Sequence, residues 1–456
     1  MKSIAQIAAE LQGYDPQALP VTQVLLFLEK LVQPVADVLT LPLLDALGHV
    51  LAADVVSPLD VPPHDNSAMD GYAFDGGQLQ SGQALSLHCI GTALAGQAWQ
   101  GVVAPGQCVK IMTGAVMPNG LNTVVPQEFV LPADNAACQL AGDVITIPAG
   151  ILRAGDNRRQ RGEDLAKGHC ALLKGELLTP ARLGLAASLG LPALLCFRPL
   201  RVAYFSTGNE ILSIGEAPRE GAVYDSNRYT VLALLKRMGC IAIDMGVVRD
   251  VPALLEVAFL QAARQADAII TSGGVSVGEA DFTKAMMKKL GDVAFWRIAM
   301  RPGRPMAVGR IVAADIHTEP LNSPCFNCPD SYRSDSVGNS AILFGLPGNP
   351  VAVMVTFLAF VRPALQQMMG LTATQPLLLK AHASEAIRKK AGRTEYQRGW
   401  VSKAAGGTLA VCTTGSQGSG VLSSMARANG LIVLHHHQGN VAVGEPVDVL
   451  MFDGAV

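Results

Sequence analysis

Three short loops in the second half of the sequence follow apolar runs and are rich in small residues. The first, TSGGVSVGEAD at 271–281, offers consecutive main-chain N–H groups that can converge on an anion. The small residues that could cradle a phosphate are Ser272, Gly273, Gly274 and Ser276. Glu279 and Asp281 could bind a divalent metal that neutralises the phosphate. The spacing fits neither a dinucleotide-binding motif nor a P-loop, and a tight structural turn is the alternative.

The second loop, LPGNPVAV at 346–353, opens a helix. Asn349 is the predicted N-cap and Pro350 the first helical residue, and helix N-termini favour negative charge. Pro347 and Gly348 complete this candidate substrate-binding loop, whose alternative is simply a stable helix start. The third loop, STGNE at 206–210, places Glu210 at the end of a strand. A carboxylate and two phosphate-type loops together favour a phosphorylated, metal-assisted ligand.

A basic segment, FWRIAMRPGRPMAVG at 295–309, lies between the first and second of these loops. It contains Arg297, Arg301 and Arg304 among proline and glycine residues. Because a guanidinium fork binds phosphates and other oxyanions bidentately, the three arginines are candidate substrate-binding residues. Taken singly, each arginine would more often be a solvated surface charge.

The elements that must position these loops are strand, turn and helix units between residue 201 and about residue 370. Three such units are RVAYFSTGNEI with NRYTVLALLKRMG, ADAIITSGGVSVGEADFTKAMMKKLG, and AILFGLPGNPVAVMVTFLAFVRPAL. Repeated units of this kind predict a mostly parallel sheet with helices on both faces. Ligands of such sheets bind at the carboxyl ends of the strands, where the glycine turns fall.

The predicted fold class is multidomain, α/β plus all-β modules, with a central mostly parallel α/β sheet domain flanked by a β domain, a mixed linker domain and a C-terminal β domain. Short apolar runs between closely spaced turn residues predict a β domain over 58–152, and alternating strands predict a C-terminal β domain over 371–456. The α/β domain is assigned to 200–370. Residues 1–57 and 153–199, which include an amphipathic helix from Thr22 and a charged connector, are assigned to a mixed linker domain.

Composition narrows the functional classes. The chain has 456 residues, of which 50% are hydrophobic and 16% charged, with a formal net charge of −2. Such a chain is folded, and it lacks the basic excess that is typical of nucleic-acid binders. No run of about 18 apolar residues predicts a membrane span, the N-terminus does not resemble a signal peptide, and the nine cysteines are interpreted as reduced. The expected location is the cytoplasm.

Eight segments in this order resemble the molybdopterin molybdenumtransferase family, MoeA, which is similar to the E domain of gephyrin. They are PLDVPPHDNSAMDGYAF, VKIMTGAVMPNGLNTVVPQE, RRQRGEDLAKG, RVAYFSTGNEI, VYDSNR, SGGVSVGEADFTK, MRPGRPMAVG and GLPGNPVAV. The resemblance extends from about residue 20 to about residue 450. SGGVSVG and GLPGNP alone also suit the related molybdopterin adenylyltransferases, whereas DNSAMDGYA with MTG is far more specific to the former family. The resemblance implies that the central α/β domain is of the molybdopterin-binding type.

The resemblance implies that molybdate is inserted into adenylylated molybdopterin, with Mg²⁺ participating and AMP released. Matching motif positions imply acidic functional roles for Glu210, Asp250 and Asp281, with Glu210 and Asp281 as metal ligands. They imply roles for Asp70 and Thr113 in the β domain, which in this family faces the α/β domain of a partner subunit. The site is then shared across a homodimer. Molybdopterin adenylyltransferase and molybdoenzyme maturation proteins are expected partners.

Some positions depart from the family pattern. Asn209 replaces the usual aspartate of STGDE, and the three arginines stand where lysines are common. A stretch over 313–340 is insertion-like, and its Cys325 and Cys328 are interpreted as part of a loop, since no second pair has zinc-ligand spacing. His435-His436-His437 is interpreted as a turn. These departures leave two alternatives open: a non-catalytic molybdopterin-binding or scaffolding paralogue, and a molybdopterin adenylyltransferase.

Overall fold

A computed structural model describes residues 2–132, 144–275, 282–313, 340–372 and 376–452. Its central element is a six-stranded sheet in which the first four strands pair in parallel and the last two pairings are antiparallel. In sheet order the strands are Ile241–Val248, Arg201–Thr207, Ala268–Ser272, Ser340–Leu346, Pro305–Val312 and Gly291–Arg297. The prediction of a mostly parallel sheet is confirmed.

Helices cover both faces of this sheet, as predicted. They are Ser226–Arg237, Pro252–Gln265, Phe282–Leu290 and the helix that begins at Pro350. Along the strand Arg201–Thr207, Val202 and Tyr204 join one buried cluster while Ala203 and Phe205 join the other. This alternation follows from the period of two in a strand, and burial on both faces explains why the strand reads as a continuous apolar run.

The strand Ile241–Val248 and its helix Pro252–Gln265 form a fourth parallel unit that the sequence reading did not identify. Asp244 and Gly246 interrupt the apolar run. The guanidinium of Arg228 lies 2.7 Å from the Asp244 carboxylate and provides its ion-pair partner. A charge in a strand at the sheet edge is therefore compensated by the neighbouring helix.

The C-terminal region forms a closed barrel of five strands, to which a sixth, two-residue strand is paired. Its strands in order are Met300–Arg301, Thr394–Lys403, Leu409–Thr413, Leu379–Ala383, Pro446–Met451 and Gly430–Leu434, and the last pairs back onto Thr394–Lys403. A short helix, Leu422–Ala426, connects two of its strands in the chain. The two-residue strand Met300–Arg301 belongs to the α/β part of the chain, so this barrel is joined to the α/β domain by a parallel backbone pairing.

The β domain also contains a six-stranded sheet. Its strands in order are Thr123–Pro126, Gly71–Phe74, Gln107–Ile111, Leu85–Ala93, Val144–Ile147 and Leu131–Pro132. Two short 3₁₀ helices, Gly76–Gln78 and Gln127–Phe129, accompany it. The described part of 58–152 is thus built from strands and turns, as predicted.

The remaining pairings are two-stranded, and three of the four join segments far apart in the chain. The two-stranded pairings are Val38–Pro42 with Ala193–Phe197, Val55–Val56 with Cys170–Leu172, Asn66–Ser67 with Arg158–Arg159, and Ile211–Leu212 with Val223–Tyr224. The helices here are Ile4–Ala9, Val21–Leu31 and Pro180–Ser188. Phe27 and Leu28 of the second helix are buried in the cluster that contains Tyr204, so this helix packs on the α/β domain. The four-domain division of the chain stays a prediction.

One helix in the described ranges has the length and composition to cross a membrane. It runs from Pro350 to Met368, with a π-helical turn at Phe357–Val361 between Pro350–Thr356 and Arg362–Met368. Within the protein 72% of it is buried, which is the behaviour of a core helix. It therefore does not indicate a membrane protein.

Candidate active site

A cavity of about 520 Å³ lies at the carboxyl-terminal edge of the parallel sheet, where the C-terminal barrel meets the α/β domain. The α/β residues that line it come from the ends of strands and the loops that follow them. They are Thr207, Gly208, Glu210, Asp250, Gly273, Gly274, Val275, Met300, Arg301, Pro302, Gly303, Arg304, Pro305, Pro347, Gly348, Asn349 and Ala352. Arg393, Gln417 and Ser419 complete the wall from the barrel.

The two carboxylates of the cavity follow neighbouring parallel strands. Glu210 follows Arg201–Thr207, and Asp250 follows Ile241–Val248. Between them, the side-chain oxygen of Asn209 accepts a hydrogen bond of 3.3 Å from the main-chain N–H of Asp250. Asn209 therefore ties the two loops together while removing the charge that an aspartate would add.

The loop after Ala268–Ser272 brings main chain close to the end of the neighbouring strand. Gly273 has a φ of 94°, and a side chain there would start 2.5 Å from the carbonyl oxygen of Thr207, so only glycine fits. Thr207 is almost fully buried, and its hydroxyl has no hydrogen-bond partner among the described residues. This hydroxyl was not identified from the sequence.

Ser272 does not line the cavity, although it was predicted to bind substrate. Its hydroxyl lies 2.7 Å from the Tyr204 hydroxyl and 3.1 Å from that of Ser206, in a buried cluster. Burial raises the pKa of Tyr204, so this cluster is uncharged. Ser272 thus supports the floor of the site from within the sheet.

The loop Pro347-Gly348-Asn349 is held from two sides. The side-chain amide of Asn227 donates to the carbonyl oxygen of Gly348 at 2.7 Å, and that of Asn349 donates to the Ser419 hydroxyl at 3.1 Å. Asn349 is the N-cap residue and Pro350 begins the helix, as predicted, but the Asn349 side chain makes no capping bond. It binds the barrel instead, and Pro350 itself is not part of the lining.

The cavity contains three arginines, of which sequence reasoning identified two. Arg301 and Arg304 line it, whereas Arg297 ends the strand Gly291–Arg297 and does not. The third is Arg393 of the barrel. Its Nε and Nη2 atoms lie 2.8 and 2.7 Å from Oε1 of Glu395, a buried carboxylate that fixes the guanidinium in the wall.

The loop 415–420 reaches the cavity because Arg398 holds it. This fully buried guanidinium donates to the carbonyl oxygens of Ser416 and Gly418 at 2.9 Å each, and to the Ser424 hydroxyl at 3.0 Å. Burial, with a smaller contribution from Arg301, lowers the pKa of Arg398. The sequence signal for this part of the site was the run of polar residues, Glu395, Gln397 and Arg398, inside a strand.

Asp70 and Thr113 are not part of this cavity. Asp70 precedes the strand Gly71–Phe74 and Thr113 follows Gln107–Ile111, and these strands are antiparallel neighbours. The Thr113 N–H and hydroxyl both donate to Oδ1 of Asp70, at 2.6 and 2.7 Å. These bonds hold the pKa of Asp70 below its usual value, and both residues are exposed.

Several predicted residues lie outside the described ranges. Ser276, Glu279 and Asp281, and the cysteines Cys325 and Cys328, are among them. The histidine run at 435–437 forms a turn, as predicted, and His435 contacts Asp448 at 2.6 Å.

The described carboxylates suit a magnesium ion. No group of three or more His, Cys, Asp or Glu side chains that could hold a metal was found within the described ranges. Mg²⁺ prefers oxygen ligands and is commonly bound by one or two carboxylates together with substrate phosphates. Glu210 and Asp250 therefore provide the right donor chemistry beside the phosphate-type loops.

Comparisons with known proteins cover almost the whole chain. Family models match at residues 19–190 (MoeA N-terminal region, domains I and II), 203–367 (probable molybdopterin binding domain) and 380–452 (MoeA C-terminal region, domain IV). The α/β domain with its flanking β modules is therefore the architecture of a molybdenum cofactor biosynthesis enzyme.

Individual relatives identify the same family as these models. The chain is 38% identical to a molybdopterin molybdenumtransferase of Haemophilus influenzae over 91% of this chain and 93% of that protein. It is 32% identical to a molybdopterin molybdenumtransferase of Nostoc sp. over 89% of this chain and 86% of that protein. A solved molybdopterin biosynthesis MoeA protein of Pyrococcus horikoshii superimposes with a TM-score of 0.75 at 25% identity, covering 96% of this chain and all of the other. The chain belongs to the molybdopterin molybdenumtransferase family.

Proposed function

We propose that the protein inserts molybdate into adenylylated molybdopterin and hydrolyses the adenylate to AMP, which yields molybdenum cofactor. The observation that carries this proposal is the composition of the cavity. Two carboxylates, three arginines and four glycine-containing loops share one space at the ends of parallel strands. A pyrophosphate-linked nucleotide and an oxyanion require such a combination, because phosphates need both close main-chain approach and positive charge.

In this proposal the loops 273–274 and 347–349 receive the pyrophosphate. Gly273 and Gly348 allow its oxygens to approach the main chain, and the unpaired Thr207 hydroxyl can donate to one of them. Glu210 and Asp250 would hold Mg²⁺, with Asp281 predicted to join them. The bound ion would neutralise phosphate oxygens and support hydrolysis of the phosphoanhydride.

The arginines form the anion-attracting wall. Arg301 and Arg304 enter from the α/β domain and Arg393 from the barrel, so molybdate is drawn to the boundary between the two. Guanidinium groups stay charged throughout the physiological pH range, so attraction of the dianion does not depend on a titrating side chain.

We further propose a cytoplasmic homodimer in which Asp70 and Thr113 of one subunit face the cavity of the other. Supporting this arrangement, the two residues are preorganised by mutual hydrogen bonds yet do not line the cavity of their own chain. A molybdopterin adenylyltransferase would supply the substrate, and molybdoenzyme maturation proteins would receive the product.

AMP release tests this function. Purified protein is given adenylylated molybdopterin, molybdate and Mg²⁺, and AMP is quantified together with reconstitution of a cofactor-free molybdoenzyme. We expect both signals, and we expect both to be lost with a chelator and restored by added Mg²⁺. Ligand retention without AMP release would favour a scaffolding protein, and ATP-dependent adenylylation of free molybdopterin would favour an adenylyltransferase; either result rejects the proposal.

A further inference from the structure

Two cysteines of the β domain face each other across adjacent parallel strands. Cys89 lies in Leu85–Ala93 and Cys108 in Gln107–Ile111, and the strand register pairs them directly. Neighbouring strands are about 4.8 Å apart, and a disulfide requires about 4.4–6.8 Å between Cα atoms. The register therefore places the two Cα atoms at a separation that a disulfide can span.

The two thiols already interact. A side-chain hydrogen bond with Cys108 is the main reason that the pKa of Cys89 falls to about 6, and the nearby Lys110 contributes. The register shifts immediately after Cys89, and the Cys89 thiol also donates to the carbonyl oxygen of Gly91 at 3.4 Å. The lowered pKa favours the thiolate of Cys89, which is the reactive form of cysteine.

Two other buried cysteines have raised pKa values instead. Burial raises the pKa of Cys196 to about 11 and that of Cys240 to about 12. Each of these is a protonated, inert core residue. The contrast shows that the environment of Cys89, and not burial as such, makes this pair distinct.

We propose that Cys89 and Cys108 are a redox modification site that forms a reversible disulfide with hydrogen peroxide as oxidant. The Cys89 thiolate attacks one peroxide oxygen, which breaks the O–O bond, gives a sulfenic acid and releases hydroxide. The Cys108 sulfur then attacks Cys89, the S–S bond forms, and the sulfenic oxygen leaves as water. Overall, two thiols and one peroxide give one disulfide and two waters, and a dithiol reductant reverses the change.

The disulfide would act on the strand that leads to Thr113. Cys108 lies five positions before Thr113, and the strand between them pairs with the one that follows Asp70. The bond closes a short loop and so restricts the unfolded chain, which raises the melting temperature. This inference does not depend on the proposed enzymatic activity.

Peptide mapping tests the proposal on the full-length protein. After exposure to peroxide, the protein is denatured, free thiols are alkylated, and linked peptides are identified by mass spectrometry. We expect a Cys89–Cys108 linked peptide with the loss of two hydrogens, and its disappearance after dithiothreitol. Mapping assigns every bond to its cysteines, so bonds at Cys325 or Cys328 are not counted. If the exposed Cys170 is oxidised while Cys89 and Cys108 are alkylated, the proposal is overturned.

Variants provide the matched controls. In Cys108→Ser, the sulfenic acid at Cys89 should accumulate and react with dimedone, because the resolving thiol is absent. Cys240→Ser removes a buried but isolated thiol and should leave the linked peptide unchanged. A wild-type linkage between Cys89 and any cysteine other than Cys108 would contradict the assignment. Should Cys108→Ser fail to fold, the wild-type map alone decides.

Discussion

The cavity at the sheet edge and the Asp70–Thr113 pair differ in how they are completed. The cavity is assembled within one chain from two domains, and its polar groups are fixed by partners such as Glu395 and Asn227. Asp70 and Thr113 are also hydrogen-bonded, but only to each other in the contacts described above, and they face outward.

This difference separates polar groups that line a cavity from a hydrogen-bonded pair for which a second subunit is proposed as the partner. In the cavity, neighbouring residues of the same subunit already hold the polar groups in place. In the β domain, two donors lower the pKa of a carboxylate that does not line the cavity of its own chain. The proposed second subunit would complete the site at Asp70 and Thr113, and the following experiments test both regions.

The largest effect is expected from neutralising Glu210. Glu210→Gln retains the size of the side chain but removes the charge beside the phosphate loops, and AMP release should fall by about 100-fold or more. Extra Mg²⁺ should recover part of the loss. Glu220→Gln, which changes an exposed glutamate of the same segment, should retain full activity. Near wild-type AMP release by Glu210→Gln would remove this carboxylate from the mechanism.

Subunit mixing tests the shared site. Asp70→Asn and Glu210→Gln are each expected to be strongly impaired, but a refolded equimolar mixture should regain about a quarter of wild-type activity, because half of the dimers are mixed and each carries one intact site. Native mass spectrometry verifies that mixed dimers form. Verified mixed dimers without recovered activity would contradict a site that spans two subunits.

Arg393→Lys should have a smaller and more selective effect. Charge is retained, but the fork that Glu395 holds is lost, so the molybdate concentration for half-maximal cofactor formation should rise roughly tenfold. AMP release at saturating molybdate should change less. Arg388→Lys, at an exposed position of the same domain, is the control. An equal loss at all molybdate concentrations would assign Arg393 a structural role instead.

The smallest effect concerns the pKa of Asp70. Thr113 lowers this pKa, so its stabilisation of the carboxylate is present above the usual aspartate pKa and is lost as the pH falls through the lowered value. Thr113→Val removes one of the two donors, and Asp70 should then take up its proton at a higher pH. Carbon-detected NMR titration measures the change, with Thr92→Val as control. An unchanged titration would show that the main-chain donor suffices.

The sequence predicted the elements whose signals are local. Glycine turns after apolar runs located Gly273 and the loop before Pro350, because close main-chain approach and helix starts demand particular residue types. The parallel sheet followed from the repeated units. The strand Ile241–Val248 was missed because the charge of Asp244, which breaks its apolar pattern, is compensated by Arg228 from a different element.

The rest of the site depends on contacts that no local pattern encodes. Arg393 and Ser419 reach the cavity because the barrel docks on Met300–Arg301 and on the loop at Asn349, far away in sequence. Conversely, Arg297 and Ser272 belong to suitable motifs but do not line the cavity. Residue type and proximity in sequence do not determine side-chain direction at the end of a strand.

The two-residue strand Met300–Arg301 has a mechanical consequence. Its backbone pairs in register with Thr394 and Glu395, beside Arg393. A rigid rotation of the barrel would therefore carry Arg301 and Arg393 together, while Glu210 and Asp250 stay with the parallel sheet. Such a rotation would change the distance between the arginines and the two carboxylates. It would keep the distance between Arg301 and Arg393 nearly constant.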